Sequence, residues 1–274
     1  NYSAGISFGY LRTRYSGSSL QVYERSGNYL SSFGSFAYNP KDITTDGTYY
    51  YVTAGSYVIR VTSGGGTTSW NAGTAPAGIV YHPTLGVLFV VDNANDRVNI
   101  INLSGSITGY FGSSGSGNGQ FQSPWGIALD GNYVVVQDSD GRTQWFSVTG
   151  TSGSFYKVVS TSGNTAVAID PANGNVYVSN TTTQKIRQYN SSGSYVPEWS
   201  PSGPAYGLAV DVNGNIFSTE TAGDTIQVFR PGGSPLYPIY GASARETDPY
   251  GLTFDQSGIL YLVGYTSKGI AKFD

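Results

Sequence analysis

A small residue followed by alternating apolar positions, often ending in aspartate, recurs along the whole 274-residue chain, and no other feature narrows the fold as far. The clearest copies are Trp125-Gly-Ile-Ala-Leu-Asp130, Tyr206-Gly-Leu-Ala-Val-Asp211 and Tyr250-Gly-Leu-Thr-Phe-Asp255. Ala77-Gly-Ile-Val-Tyr81 and Thr165-Ala-Val-Ala-Ile-Asp170 follow the same pattern, and Ala4 to Phe8 and Lys41 to Thr45 are weaker copies. Measured from Gly5, Asp42, Gly78, Gly126, Ala166, Gly207 and Gly251, the spacings are 37, 36, 48, 40, 41 and 44 residues. Alternation of this kind specifies a short strand with two unlike faces. Each copy is followed by a second strand (Tyr49 to Val52, Val87 to Val91, Val176 to Val178, Ile259 to Leu262) and a third (Leu20 to Tyr23, Ile186 to Tyr189, Ile226 to Phe229). A fourth follows a glycine turn and carries aromatic residues (Gly27 to Phe33, Gly105 to Phe111, Gly193 to Trp199). Four short strands in roughly 40 residues are one blade of a β-propeller. A lone blade cannot cover its own faces, so blades stack in a ring. The chain is therefore expected to be all-β, a single propeller over residues 1–274, with seven blades and six as the alternative.

The repeats also carry a resemblance. The segment Gly117-Asn-Gly-Gln-Phe121, then Pro124-Trp-Gly-Ile-Ala-Leu-Asp130, then Tyr133 to Asp138, is similar to the NHL repeat, and Val176-Tyr-Val-Ser-Asn180 resembles the signature of YVTN propellers. The resemblance covers the whole chain and implies the same propeller fold. Propeller lyases and lactonases that resemble this repeat use several histidines, or a histidine with calcium. This chain has one histidine, His82, which cannot furnish a multi-histidine metal site.

Ring closure is the open question in the sequence. The last copy starts at Gly251 and reaches a third strand at Gly269 to Phe273, but the sequence stops at Asp274, so the last blade is expected to be short of its outer strand. Only Asn1, Tyr2 and Ser3 precede the first copy. An unpaired sheet edge is a template for another chain, so Asn1, Tyr2, Ser3, Ile270, Lys272 and Phe273 form a candidate self-assembly edge.

Composition narrows the partners. Charged residues are 11% of the chain and the formal net charge is -3, which leaves no basic surface for nucleic acid. No apolar run approaches the length of a transmembrane helix. Cysteine is absent, so neither a disulfide framework nor a thiolate metal site is available. Methionine is absent too and the sequence begins at Asn1, which points to removal of a leader or larger precursor and to a secreted or cell-surface location.

Candidate sites follow from residue type. Asp130, Asp170, Asp211 and Asp255 each end a first strand before a turn, where a carboxylate accepts turn amides. Asp138 to Gly141 and Asp92 to Asp96 group several oxygen ligands but lack the full loop of a calcium hand. His82 precedes Pro83 with no nucleophile or acid in a triad pattern, and it reads as a turn residue. Asn102, Asn180 and Asn190 head Asn-x-Ser/Thr sequons and are candidate N-glycosylation sites, as is Asn1. Tyr10, Tyr15, Tyr49, Tyr51, Tyr110 and Tyr240 are candidate exposed tyrosines for interfaces or carbohydrate stacking. No catalytic, cofactor or metal-binding set emerges. The expectation is a non-enzymatic structural or adhesive protein that binds copies of itself, with a glycan- or peptide-binding propeller as the alternative and a calcium-dependent hydrolase or lyase third. In the binding alternative the loop from Gly112 to Gly119, in the longest repeat, contributes to the channel mouth.

Overall fold

The computed structural model describes residues 21–23, 32–33, 36–162, 164–240, 248–255, 258–265 and 269–273. Two short N-terminal strands, β1 (Gln21–Tyr23) and β2 (Ser32–Phe33), precede five four-stranded antiparallel meanders. Blade I is β3 (Pro40–Thr45), β4 (Tyr50–Ala54), β5 (Tyr57–Val61) and β6 (Thr67–Asn71). Blade II is β7 (Pro76–His82), β8 (Val87–Asp92), β9 (Arg97–Asn102) and β10 (Ile107–Phe111). Blade III is β11 (Gly126–Asp130), β12 (Tyr133–Gln137), β13 (Arg142–Val148) and β14 (Gly153–Ser160). Blade IV is β15 (Val167–Ile169), β16 (Val176–Asn180), β17 (Lys185–Tyr189) and β18 (Tyr195–Trp199). Blade V is β19 (Ala205–Val210), β20 (Ile216–Glu220), β21 (Thr225–Phe229) and β22 (Pro235–Tyr240).

A further sheet closes the ring. β23 (Pro249–Phe254), β24 (Leu260–Gly264) and β25 (Gly269–Phe273) form a meander, and β25 also pairs with β1 in parallel and with β2 antiparallel. The expected count of seven blades is thus corrected to five regular blades plus one composite sheet; six regular blades do not describe it either. The physical reason is the open edge of a three-stranded sheet, whose unpaired backbone groups take up strands from the other end of the chain. Strands read as the third and fourth of a separate first blade belong to the closing sheet instead. The copy at Ala4 to Phe8 lies outside the described residues. The other six expected starts fall in or beside the innermost strands β3, β7, β11, β15, β19 and β23.

Burial falls from axis to rim. β8 (VLFVVD) is buried at every position because neighbouring blades cover both faces, whereas the outermost β14 alternates between exposed and half-buried. Cores form between blades: Phe89, Val91 and Val98 of blade II pack with Phe121, Val134 and Phe146 of blade III, and Tyr261 and Val263 of the closing sheet pack with Ile43 and Val52 of blade I.

Two contacts repeat around the ring. Near the axis, a hydroxyl on the second strand ties its own blade to the next. Thr53 Oγ1 accepts from Asp42 N (3.1 Å) and donates to Ala77 O (2.5 Å), and Thr219 Oγ1 accepts from Gly207 N (2.8 Å) and donates to Tyr250 O (2.6 Å). At the rim, four of the outer strands place a side chain on a glycine at or beside a turn of the next blade. Trp70 lies on Gly105, Phe111 on Gly153, Val159 on Gly193 and Trp199 on Gly233.

A methyl group at Gly207 would overlap the Tyr250 carbonyl, while one at Gly150 meets nothing within 4 Å. We expect Gly207→Ala to lower urea-unfolding stability by about 2–3 kcal/mol and Gly150→Ala to leave it within about 0.5 kcal/mol. Equal effects of the two would remove the steric explanation.

Candidate functional site

The six innermost strands surround a central cavity of about 270 Å³. At the end where these strands begin, the residues before three of the small positions, Lys41, Trp125 and Tyr206, line the cavity, while Ala77 and Thr165 are buried and Tyr250 packs against Trp125 and Tyr206. In four sheets the strand register shifts here, between Pro40 and Asp42, Pro76 and Ile79, Ala205 and Gly207, and Pro249 and Leu252. Such a bulge leaves residues out of the regular ladder and re-aims their side chains. Lys41, Tyr206 and Tyr250 are residues that the register skips.

The mouth is aromatic. Tyr206 and Tyr250 stack with centroids 4.6 Å apart, and Tyr265, just past β24, stacks on Tyr250 at 5.0 Å. Trp125 of blade III reaches within 6.5 Å of Tyr250 in the closing sheet. All four rings are half-buried, so each keeps surface toward solvent. Burial pushes the Tyr250 hydroxyl above its ordinary range, helped by neighbouring Tyr206, so it stays protonated and able to donate a hydrogen bond.

Two charged groups complete the mouth. Lys41 donates from Nζ to Pro76 O at 3.0 Å and lies 5.3 Å from the Trp125 ring centroid. Burial lowers its pKa from the ordinary lysine value. Asp42 occupies the position that Gly78, Gly126, Ala166, Gly207 and Gly251 hold in the other sheets. Its carboxylate accepts from Ile43 N (Oδ1, 2.9 Å) and, across the blade boundary, from Ile79 N (Oδ2, 2.9 Å). Burial outweighs these two bonds and pushes its pKa up to about 7.

The residues singled out from sequence have other tasks. Asp170 accepts from Ala172 N and Asn173 Nδ2, Asp211 from Asn213 N and Asn215 N, and Asp255 from Ile259 N and the Tyr261 hydroxyl. Asp130 instead accepts from Trp145 Nε1 at 2.8 Å. Asp46, not singled out in the sequence, plays the same turn part, binding Thr48 N, Tyr49 N and the Tyr51 hydroxyl. Asp92 is fully buried, accepts from Thr74 N and Ala75 N, and pairs with Arg97 at 3.5 Å. Asp138 pairs with Arg142 at 2.8 Å. His82 is buried and accepts from Leu85 N through Nδ1.

Several expectations are corrected. The loop from Gly112 to Gly119 does not line the cavity. It folds onto blade III, where Arg142 donates to Ser116 O, Gly117 O, Gly115 O and Gln120 O. Tyr51 is fully buried because its hydroxyl reaches Asp46; Tyr110 is 59% exposed, with the Arg97 guanidinium 4.8 Å from its ring. Tyr10 and Tyr15 lie outside the described residues, as do Asn1, Tyr2 and Ser3 of the candidate edge. Ile270, Lys272 and Phe273 lie on β25, which is paired with β24 and with the N-terminal strands, so it is not the free edge that self-assembly called for. Asn102 and Asn190 stand at the ends of third strands and accept amides of the turns that follow. Asn180 likewise accepts from Thr183 N, and its Nδ2 also donates to Ser162 O.

Comparison with known proteins agrees with the architecture. A chain of the nidogen/laminin complex superposes with a TM-score of 0.68 at 14% identity, covering 83% of this chain and 89% of that one. A streptogramin B lyase matches with a TM-score of 0.64 at 15% identity, covering 93% of each chain. Virginiamycin B lyase from Staphylococcus aureus matches with a TM-score of 0.63 at 13% identity, covering 85% of this chain and 80% of that one. No protein-family model and no curated sequence matches. The fold is a β-propeller. At such low identity the likeness carries the fold alone, and the finer NHL or YVTN relationship rests on the repeat motifs. The expectation that the chain is not an enzyme does not stand, because lyases are among the neighbours on this architecture. No helix among the described residues is long and apolar enough to cross a membrane, which says nothing of spanning by strands.

Asp42 gives the site a pH signature. Its pKa is raised in the folded state, so its contribution to stability is full below the ordinary aspartate range and is lost as pH rises toward about 7. We expect thermal unfolding scans to show the wild type losing roughly 4 kcal/mol between pH 4 and pH 8 through this group, and Asp42→Asn to lose correspondingly less. Parallel profiles for the two proteins would rule out the raised pKa.

Proposed function

We propose that this protein is a ligand-binding β-propeller that takes a ring-shaped polar ligand, a saccharide unit, at the channel mouth. The observation that carries this reading is an aromatic cluster at one end of the cavity: Trp125 and Tyr206 line it, Tyr250 packs with both, and Tyr265 stacks on Tyr250. Aromatic faces with polar tips suit sugars, because the ring face covers apolar C–H groups while hydroxyls remain hydrogen-bonded. The cavity volume of 270 Å³ falls below the about 300–1,000 Å³ of sites for drug-sized ligands, which favours one ring over an extended peptide. One of the structural neighbours is a chain of the nidogen/laminin complex, a protein assembly, which is compatible with a binding role.

A second reading makes the same pocket catalytic. It rests on Asp42, whose carboxyl is held near pH 7 beside the cavity and is suited to taking up and returning a proton at neutral pH. Mass spectrometry of saccharides incubated with the wild type and with Asp42→Asn separates the two readings: bond cleavage by the wild type alone favours catalysis, and an unchanged ligand favours binding.

The binding reading predicts that Trp125→Ala and Tyr250→Ala each weaken saccharide binding at least roughly tenfold in isothermal titration, with Tyr110→Ala at the rim unchanged. Retention of full affinity by both mouth variants would remove the site from the mouth.

A further inference from the structure

The mouth carries two charged groups, and they are not alike. Asp42 has both carboxylate oxygens occupied by backbone amides, one from its own strand and one from the next blade. Lys41 has only the Pro76 carbonyl as a hydrogen-bond acceptor and the Trp125 ring as a neighbour. Among the described residues the ion pairs involve Arg97, Arg142, Lys185 and Arg187, and none involves Lys41. Among the described residues no carboxylate forms an ion pair with Lys41, and burial depresses its pKa. A half-buried ammonium with no counter-charge is held at a cost that an incoming anion removes. Its place is specific as well: Lys41 sits on the bulge that aims it at the mouth, against the same tryptophan proposed to stack on the ligand.

We infer that the ligand of the channel mouth is an acidic saccharide, a uronate whose carboxylate pairs with the Lys41 ammonium while its ring lies among Trp125 and Tyr250. This rests on the saccharide-binding reading above and adds the charge of the ligand to it. A neutral sugar leaves Lys41 uncompensated. A uronate supplies one carboxylate at the ring edge, where a cation held against the ring face can reach it.

The test uses matched probes on the full chain: oligosaccharides of galacturonate, glucuronate and mannuronate, each beside its carboxyl-reduced neutral counterpart, by isothermal titration at low salt. We expect at least one uronate to bind roughly tenfold tighter than its reduced counterpart. Lys41→Met should erase that preference, with a far-UV circular dichroism spectrum matching the wild type showing that the variant is folded, and Lys41→Arg should retain the preference. Equal binding of acidic and reduced forms to the wild type overturns the inference while leaving the saccharide site standing. A preference that survives in Lys41→Met overturns it as well. Binding of neither form to the wild type removes the saccharide reading, and the inference with it.

Discussion

The ring depends on how closely its innermost strands approach one another. At four of the six small positions a side-chain carbon would meet the backbone of the next blade: Gly78 faces Trp125 O, Gly126 faces Thr165 O, Gly207 faces Tyr250 O and Gly251 faces Lys41 O. Contact at this distance brings the second-strand hydroxyls of Thr53 and Thr219 within reach of a neighbouring carbonyl, and lets Gly78 N donate directly to Trp125 O at 3.0 Å. Buried backbone groups that would otherwise lack partners are satisfied across the blade boundary. The same contact sets the width of the channel, and therefore what enters it.

Asp42 breaks that rule at one place and uses the break. With a carboxylate where the other sheets have glycine or alanine, blade I bonds the backbone of blade II through a side chain. One position thus joins blades, narrows the cavity and holds a titratable group at its wall. A position filled by glycine or alanine in five sheets carries a titratable group in the sixth because a single side chain differs.

Much of this was legible in the chain itself. The positions from Asp42 to Gly251 mark the innermost strands because alternation and glycine spacing are local properties, and local periodicity follows the side-chain geometry of a strand. Turn aspartates were legible for the same reason: the carboxylate binds amides only a few residues away. The seventh blade was an overcount because pairing β25 with Gln21–Tyr23 joins segments far apart in sequence, and no short-range pattern records it. The site was hidden likewise. Tyr206, Tyr250 and Trp125 read as ordinary residues beside a repeat glycine, and only the bulges and the ring bring them together.

The composite closing sheet has a consequence for the order of folding. Blades I to V are meanders whose strands pair with sequence neighbours, so each forms by closing short loops. The closing sheet needs β1 and β2 beside β25, from opposite ends of the described sequence, and such a contact carries the largest loop-closure cost in the molecule. The ring is therefore assembled as an open arc and shut at one seam. The candidate mouth takes Lys41 from blade I and Tyr250 from the closing sheet, on the two sides of that seam, both beside Trp125, so it is complete only once the ring is shut.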